Sequence, residues 1–439
     1  MLDPSTNERM TRVGRGTPMG DLMRRYWHPV LLSWELPEPD CEPLRVTLLG
    51  EHFVAFRDTS GRVGVLDEQC PHRGASLWLG RNEKDGLRCV YHGWKFDVTG
   101  QCVDMMNEPA EFDFKEKVRA RAAGVAEEGG VIWLHLGDPD RRPPQPKFDW
   151  TQVPEGHRTV TKVIQECNWL QALEGGIDSS HAQILHRALK AGASQPGVPP
   201  TDPRLHSKPA TLEVDLTDYG YRYFSVRPML EEDANHIRGY HFVMPYTQLR
   251  PAGYGKDRMT SGHHWVPIDD ETCLVWNWTY NYDRPLQPEE TTLEAGGNSF
   301  GKDIDIKNGF RSFRNKGNDW LIDREVQRTE TFTGIQGINT QDRAVQETMG
   351  PIVDRMIEHL GQSDRAVIAA RKVLQEALNV AADGGDPAGA ADSYYAIRAA
   401  DGLVPSNEDW RPVLLAKMLP EGTAARSSSA AHPTGPNRC

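Results

Sequence analysis

Apolar residues recur with two different periodicities along this chain, and each periodicity predicts one type of secondary structure. Short segments rich in β-branched and aromatic residues, apolar at every second position, are typical of strands. Segments with apolar residues every three or four positions are typical of helices. Strands are expected at 45–49, 52–56, 131–136, 210–216, 221–226, 236–244, 263–267 and 273–280, and helices at 6–30, 167–186, 342–360 and 363–382.

The order of these elements predicts an α+β chain with two units of different size. A small β-rich unit is expected at 44–146, ending in the Pro-rich run RRPPQP. A larger unit at 147–419 should contain an antiparallel sheet covered by helices. The helical segment at 1–43 is expected to pack on the larger unit, and the Ala-, Ser- and Pro-rich stretch at 420–439 is expected to be disordered.

Two short motifs in the small unit combine cysteine with histidine. Cys70 and His72 form a C-x-H pair, and Cys89 and His92 form a C-x2-H pair. Two thiolates and two imidazoles fit a Rieske [2Fe–2S] cluster, in which the thiolates bind one iron and the histidines the other. A structural zinc site uses the same donors, but zinc fingers usually place the cysteine pair before the histidine pair. The interleaving therefore favours an iron–sulfur cluster, which needs a second site to use its electrons.

A second metal site is expected on the predicted helix at 167–186. His181 and His186 are five residues apart, which is roughly 140° around a regular helix, so shared ligation predicts a break or wide turn there. Two histidines and a carboxylate form the facial triad that binds ferrous iron and leaves positions open for O2 and substrate. Asp342 is the best placed third ligand, with Glu347 and Asp354 as alternatives.

Charge and cysteine usage narrow the possible functions. Sixty-two acidic against fifty basic side chains give a net charge of −12 over 439 residues, which argues against nonspecific nucleic-acid binding. The seven scattered cysteines and an N-terminus without signal-peptide character predict no disulfides and a cytoplasmic location. No apolar run is long enough to span a membrane. No strand-linked G-x-G-x-x-G is present, so nicotinamide binding by this chain is not expected.

Together these motifs resemble the oxygenase (α) components of the Rieske non-haem iron oxygenases, and most closely the phthalate-dioxygenase branch. The likeness extends to about residue 380 and rests on C-P-H-R-G-A, C-x-Y-H-G-W-x-F-D, E-G-x-x-D-x-x-H-x-x-x-x-H and Q-D-x-x-x-x-E. It implies an α+β fold in which 44–146 is the Rieske domain and 147–419 the catalytic domain.

The resemblance also implies roles for residues and partners. The implied ligands of the [2Fe–2S] cluster are Cys70, His72, Cys89 and His92. The implied ligands of mononuclear Fe(II), with O2 as co-substrate, are His181, His186 and Asp342. Asp178 would link a cluster histidine of one subunit to an iron histidine of its neighbour, in a homotrimer or a hexamer of stacked trimers. An NADH reductase that carries flavin and a [2Fe–2S] centre would supply the electrons.

The substrate pocket is expected between the strands at 210–280 and the helix near Asp342. Members of this branch often take aromatic acids held by arginine, and the arginines in this region are Arg204, Arg227, Arg238 and Arg250. Further pocket candidates are Asn168, Gln171, Ser179 and Met244. The implied reaction is hydroxylation or cis-dihydroxylation of an aromatic carboxylate. Two alternatives remain open, namely oxidative O-demethylation of a methoxylated aromatic acid and electron transfer without oxygenase activity.

Overall fold

A computed structural model describes residues 2–145, 147–195, 197–252, 259–291, 296–390 and 396–418. The disorder expected at 420–439 lies outside these residues. The helices are α1 (Pro4–Thr11), α2 (Pro18–Met23), α3 (Asp149–Gln152), α4 (Trp169–Ile177), α5 (Ala182–Leu185), α6 (Pro288–Thr291), α7 (Arg324–Thr329), α8 (Ile338–Glu347), α9 (Arg365–Ala382) and α10 (Trp410–Met418). Within the described ranges, no helix has the length and apolar character needed to cross a bilayer.

The strands fall into several antiparallel sheets. In the N-terminal third they are β1 (Trp27–Leu32), β2 (Leu44–Leu48), β3 (Glu51–Arg57), β4 (Val63–Asp67), β5 (Arg81–Asn82), β6 (Leu87–Arg88), β7 (Trp94–Phe96), β8 (Cys102–Met105), β9 (Gly124–Glu128) and β10 (Val131–His135). The later strands are β11 (Arg158–Gln165), β12 (Thr211–Thr217), β13 (Gly220–Pro228), β14 (Ala234–Val243), β15 (Thr247–Ala252), β16 (Met259–Pro267), β17 (Cys273–Asn281), β18 (Ile304–Asp305), β19 (Arg311–Ser312) and β20 (Ala400–Pro405).

The small β-rich unit contains two meanders, beside a third sheet of order β1-β10-β9. Strands β2-β3-β4 form one sheet, and β5-β6-β7-β8 form the other. Apolar side chains of both sheets share one core, which also contains the two cysteines of the C-x-H and C-x2-H motifs. The loops that carry the motifs therefore lie on a packed base, one between β4 and β5 and the other between β6 and β7.

A large antiparallel sheet forms the centre of the second unit. Among the described residues its order is β11-β17-β16-β15-β14-β13-β12, with β20 added beside β14. Helix α4 lies across this sheet with very little clearance: a Cβ on Gly176 would come within 2.0 Å of the Trp265 ring on β16. This close approach holds the C-terminal end of α4 over the sheet, which is where the sequence predicts the second metal site.

Two predicted helices are wrong in type or extent, and a strand of the large sheet was missed. The expected helix at 6–30 is two short helices followed by β1, whose six residues are all buried, so the strand lacks the alternation that identifies a half-exposed one. The expected helix at 342–360 begins earlier, at Ile338, and ends at Glu347, shortly before Gly350 with φ +91° and Pro351. Strand β15 was not predicted, although it lies in the middle of the large sheet.

Candidate metal centres and substrate cavity

The two Cys–His loops of the small unit have the same backbone pattern. Gly74 N–H donates to the carbonyl of Cys70, and Gly93 N–H donates to the carbonyl of Cys89, each at 2.9 Å. Both glycines have positive φ, +75° and +78°, a conformation that costs glycine little. Each turn brings its histidine, two or three residues after the cysteine, back over the loop.

The four side chains of these loops converge. Burial, and then the adjacent Cys89 thiol, raise the pKa of Cys70 to about 12, so a thiolate forms here only with a compensating cation. The rings of His72 and His92 lie 4.4 Å apart, and Trp94 stacks on His72 at 4.3 Å. A donor set of two buried cysteines and two adjacent, partly exposed imidazoles fits a [2Fe–2S] centre near the surface.

Helix α4 ends where the sequence predicts a break. Ile177 is its last residue, and Asp178 has extended backbone angles (φ −67°, ψ 119°). The Asp178 carboxylate stabilises the turn by accepting hydrogen bonds from the Ser180 N–H and hydroxyl, both at 2.7 Å. After the turn, His181 precedes the short helix α5 and His186 follows it, and their rings lie 5.2 Å apart. The expected local break is confirmed.

Three potential ligands meet beyond this break. Nε2 of His181 and Nε2 of His186 lie 3.3 and 3.2 Å from the same oxygen, Oδ1 of Asp342. That oxygen is buried and has no hydrogen-bond partner among the described residues. The three ligand atoms lie within 4.8 Å of one another. Two imidazole nitrogens directed at one unsatisfied carboxylate oxygen are what a shared metal ion requires, and the set matches a facial triad.

The second ring nitrogen of each histidine is held by a different group. Nδ1 of His186 lies 2.8 Å from Oε1 of Gln341, whose Nε2 donates to the Ile335 carbonyl at 2.7 Å. The amide orientation therefore keeps the proton of His186 on Nδ1 and leaves Nε2 free to bind a metal. Nδ1 of His181 faces the Asp178 carboxylate at 3.4 Å. The role of Gln341 was not predicted, although it adjoins Asp342 in the Q-D motif.

The two alternative carboxylates lie outside this cluster. Glu347 accepts hydrogen bonds from the backbone N–H of Glu166 and the indole N–H of Trp320. Asp354 is exposed and caps the backbone N–H of Met356. Both carboxylates already have structural partners, so the expectation that either could replace Asp342 is not supported.

The histidines and carboxylates of the cluster strongly perturb one another. Burial alone would lower the pKa of His181, but the Asp178 and Asp342 carboxylates outweigh it and raise this pKa to about 10. Burial would raise the pKa of Asp342, but His186 and His181 hold it well below its usual range. The carboxylate is therefore ionised at neutral pH, and without a metal ion a proton would occupy His181.

A cavity of about 390 Å³ opens beside this cluster. Its floor is one face of the large sheet, and its roof includes the segment after α4 and the start of α8. The residues predicted to contact substrate that do border it are Ser179, Arg204, Arg238 and Arg250. Tyr240 and Trp278 also border it, so cationic and aromatic side chains share the wall. This volume is within the range of pockets that bind small organic ligands.

Two of the cavity arginines have no carboxylate partner within the part of the chain that the structure describes. Arg204 forms a buried ion pair with Asp202 at 2.8 Å. Arg238 is only 7% exposed, donates to the Pro251 carbonyl at 2.7 Å and leaves its Nε unsatisfied. Arg250 donates to the Ser261 hydroxyl at 3.0 Å. No described carboxylate pairs with Arg238 or Arg250, so an anion in the cavity would compensate their charge.

Four predicted contact residues lie elsewhere. Arg227 is buried away from the cavity lining, where it donates to the Ser225 hydroxyl and the Ser179 carbonyl. Asn168 caps the start of α4 and donates to the carbonyls of Thr11 and Asp270. Gln171 holds the loop after α8 through the Gly350 carbonyl. Met244 belongs to the apolar core, because β14 ends at Val243 and the alternation that would turn Met244 toward the cavity stops there.

Comparisons with known proteins agree with this arrangement. A family model described as "Rieske [2Fe-2S] domain" matches residues 26–116, and one described as "LigXa C-terminal domain like" matches residues 134–430. A phthalate 4,5-dioxygenase oxygenase subunit from Pseudomonas putida is 39% identical over 94% of each chain. A 5,5'-dehydrodivanillate O-demethylase oxygenase subunit from a Sphingobium species is 31% identical over 88% of this chain and 83% of that protein.

The fold has relatives among solved structures. A crystal structure of dicamba monooxygenase bound to dicamba superposes with a TM-score of 0.57 at 20% sequence identity, covering 82% of this chain and 98% of that one. A small β-rich Rieske domain with a larger α+β catalytic domain is therefore confirmed as the fold class. The chain belongs to the Rieske non-haem iron oxygenases, as an oxygenase subunit of a system that uses a [2Fe–2S] cluster, mononuclear iron, O2 and electron-transfer partners.

Proposed function

We propose that this protein is a terminal oxygenase that uses O2 and reductase-supplied electrons to hydroxylate or cis-dihydroxylate an aromatic carboxylate. The observation that carries the substrate class is a pair of guanidinium groups, those of buried Arg238 and partly buried Arg250, which border the cavity without a described carboxylate partner. The phthalate dioxygenase relative, which is named for an aromatic acid, supports the same class.

The metal ligands in this proposal follow the two clusters of donor atoms. The ligands assigned to the [2Fe–2S] cluster are Cys70, His72, Cys89 and His92. The ligands assigned to mononuclear iron are His181, His186 and Asp342. When bound, iron in a facial triad activates O2 and a Rieske cluster delivers single electrons. The proposed domains are 44–146 for the cluster and 147–419 for the iron. The segment 1–43 is proposed to pack on the latter through α1 and α2, whereas its strand β1 also pairs with β10 of the former.

In this proposal the protein's own residues position the substrate and exclude water. Arg238 and Arg250 would bind the substrate carboxylate through charge-assisted hydrogen bonds. Tyr240 and Trp278 would pack on the aromatic ring. With its carboxylate held on the sheet side of the cavity, the ring would lie between that floor and the His181–His186–Asp342 cluster.

Asp178 is proposed to connect the two metal centres between subunits. Its carboxylate contacts His181, and its side chain is 22% exposed. His72 and His92 are also partly exposed, and apolar side chains beside their loops face solvent, namely Leu79, Val90, Tyr91 and Met106. Such a patch is typical of an interaction surface. We therefore propose a homotrimer or a hexamer of stacked trimers in which a neighbour's cluster loops reach Asp178.

The electron donor proposed for this oxygenase is an NADH reductase that carries flavin and a [2Fe–2S] centre. A cytoplasmic location, where NADH is available, belongs to the same proposal. Oligomeric state can be measured by light scattering on the metal-loaded protein, and a monomer would contradict the proposed connection through Asp178.

The substrate class is tested with Arg238→Gln and Arg250→Gln. Each loses a hydrogen bond to an ionised group, so we expect kcat/KM for an accepted aryl carboxylate to fall by about 10- to 100-fold. Substrate-stimulated O2 consumption with the reductase measures this. The matched control is Arg222→Gln, which removes an arginine of β13 that pairs with Asp215 outside the cavity. Unchanged kcat/KM in both cavity variants would contradict the proposal.

Oxidative O-demethylation of a methoxylated aromatic acid is a second candidate, because one relative is named as an O-demethylase. It uses the same metal ligands and the same arginines. The two reactions differ in product: demethylation releases formaldehyde, whereas ring hydroxylation does not. Electron transfer without oxygenase activity would not require a second metal site, and so would not explain the cluster of His181, His186 and Asp342.

A further inference from the structure

The cavity floor has a second polar region, distinct from its arginines. Three neighbouring strands place residues in one cross-strand row there. Gln248 on β15 lies opposite His263 on β16, and His263 lies opposite Asn277 on β17. All three border the cavity. Side chains of directly opposed residues have Cβ atoms about 5 Å apart, so these three groups form one continuous strip.

Gln248 presents an unused acceptor in this strip. The hydroxyl of Tyr223 donates its proton to the Ile177 carbonyl at 3.0 Å, so its oxygen can only accept from Gln248 Nε2, which lies 2.5 Å away. This fixes the orientation of the amide. Oε1 of Gln248 therefore points away from Tyr223. This oxygen is buried and has no hydrogen-bond partner among the described residues. Gln248 as a whole is 1% exposed.

His263 presents a second acceptor. Its Nδ1 lies 2.9 Å from Oδ1 of Asn277, which also accepts from Asn339 Nδ2 at 3.3 Å. Because an amide oxygen can only accept a hydrogen bond, Nδ1 of His263 must carry the proton of the imidazole. Nε2 of His263 therefore keeps its lone pair. No hydrogen bond to Nε2 is formed within the described part of the chain. Burial, and then the Arg250 guanidinium, lower the pKa of His263 well below its usual range, so the ring is neutral.

We propose that Gln248 and His263 form a subsite that recognises a hydrogen-bond donor on the substrate, so that the preferred substrate is an aryl carboxylate that also carries a hydroxyl group. The inference rests on the proposed oxidation of an aromatic carboxylate and narrows its class. The two acceptors belong to directly opposed residues, and either one can accept the single proton of a hydroxyl group. They disfavour a second carboxylate or a methoxy oxygen, because lone pairs would then face each other and the buried acceptors would stay unsatisfied.

The test compares matched ligand pairs on the metal-loaded full chain by calorimetry. The probes are the three hydroxybenzoates, their methoxybenzoate counterparts, benzoate, phenol and anisole. At least one hydroxybenzoate should bind about tenfold more tightly than both its methoxy counterpart and benzoate. Gln248→Leu and His263→Leu should each reduce this preference toward one. Equal affinity within every pair would overturn the subsite, as would a preference that persists in both variants.

The same probes separate this subsite from the carboxylate site. If the carboxylate assignment fails, hydroxybenzoates will bind no more tightly than phenol, while the phenol–anisole pair still reports on the hydroxyl. If only the subsite fails, the acids will bind more tightly than phenol without any hydroxyl preference. The comparison in the unmodified protein does not depend on the folding of a variant. Circular dichroism and iron content identify any variant that does not fold.

Discussion

At the residue scale, the two histidines of the iron cluster are held by partners of different charge. His186 faces a neutral amide, Gln341, which fixes the position of its proton. His181 faces the ionised carboxylate of Asp178, whose other oxygen stabilises the turn after α4. Asp178 therefore has a structural contact and a charged contact, and a substitution can separate the two.

Asp178→Asn should separate these contacts. The asparagine retains an oxygen for Ser180 but loses the charge beside His181, so we expect normal iron and sulfide content with substrate oxidation reduced by about 100-fold. Iron and sulfide assays with product analysis measure both quantities. Asp354→Asn, which changes an exposed carboxylate outside the site, is the control. Full activity in Asp178→Asn would exclude a role in connecting the metal centres.

Motifs allowed the residues of both donor clusters to be predicted, whereas the cavity residues could not be predicted reliably. Cys70, His72, Cys89 and His92 lie in short motifs, and the structure brings them together as expected. Met244 was predicted from the alternation of apolar residues along β14. The strand ends at Val243, one residue before Met244, so the alternation does not apply to it. Gln248 and His263 were not predicted to border the cavity. Polar residues at alternate positions of otherwise apolar strands could have indicated them. Which face of a strand meets a cavity depends on tertiary register, which alternation alone does not give.

At the element scale, α4 is the element that connects the sheet, the turn and the iron cluster. The Gly175-Gly176 pair does not break this helix, because α4 is regular through both residues. The glycines instead permit close packing, since a Cβ on Gly175 would lie 2.0 Å from Nε2 of Gln346. The break itself comes one residue after the helix, at Asp178. Steric contacts between elements distant in sequence could not be predicted from the sequence.

A buried ion network fixes the same helix from its other side. Glu174 lies one turn before Asp178 and pairs with Arg355 at 2.8 Å and Arg371 of α9 at 2.7 Å. The Arg355 side chain is fully buried. A guanidinium in this position cannot lose its partner without a large desolvation penalty.

Glu174→Gln should therefore destabilise the protein by about 3 kcal/mol or more, because Arg355 is left buried without a counter-ion. The shift of the urea unfolding midpoint measures this. Glu358→Gln is the matched control, because Glu358 pairs with Arg371 alone and is partly exposed. If both variants unfold at the same midpoint as the unmodified protein, the network does not stabilise α4.

The pH dependence of this effect has a definite sign. Burial would raise the pKa of Glu174, but Arg355 and Arg371 outweigh it and lower the pKa in the folded protein. The stabilisation is therefore fully present above the unfolded pKa of about 4.3 and is lost as the pH falls through the folded value. The difference in stability between the unmodified protein and Glu174→Gln should shrink in acid.

At the scale of the whole molecule, the chain carries two sites that suit consecutive parts of one reaction. The small β-rich unit presents a partly exposed pair of histidines above two buried cysteines. The large unit places three potential iron ligands beside a cavity bordered by two arginines that form no ion pair with a described carboxylate. One site is suited to receive electrons at the surface, and the other to use them on a bound anion. This division is the reason to expect an oxygenase rather than an electron carrier.

The most direct test of this account is isotope incorporation from O2. The metal-loaded protein, its NADH reductase and a hydroxylated aryl carboxylate would react under ¹⁸O₂, and mass spectrometry would follow the aromatic product. We expect an oxidised aryl acid that contains ¹⁸O. Consumption of NADH that yields only hydrogen peroxide and unchanged acid, across the hydroxylated aryl carboxylates that bind, would contradict the central claim.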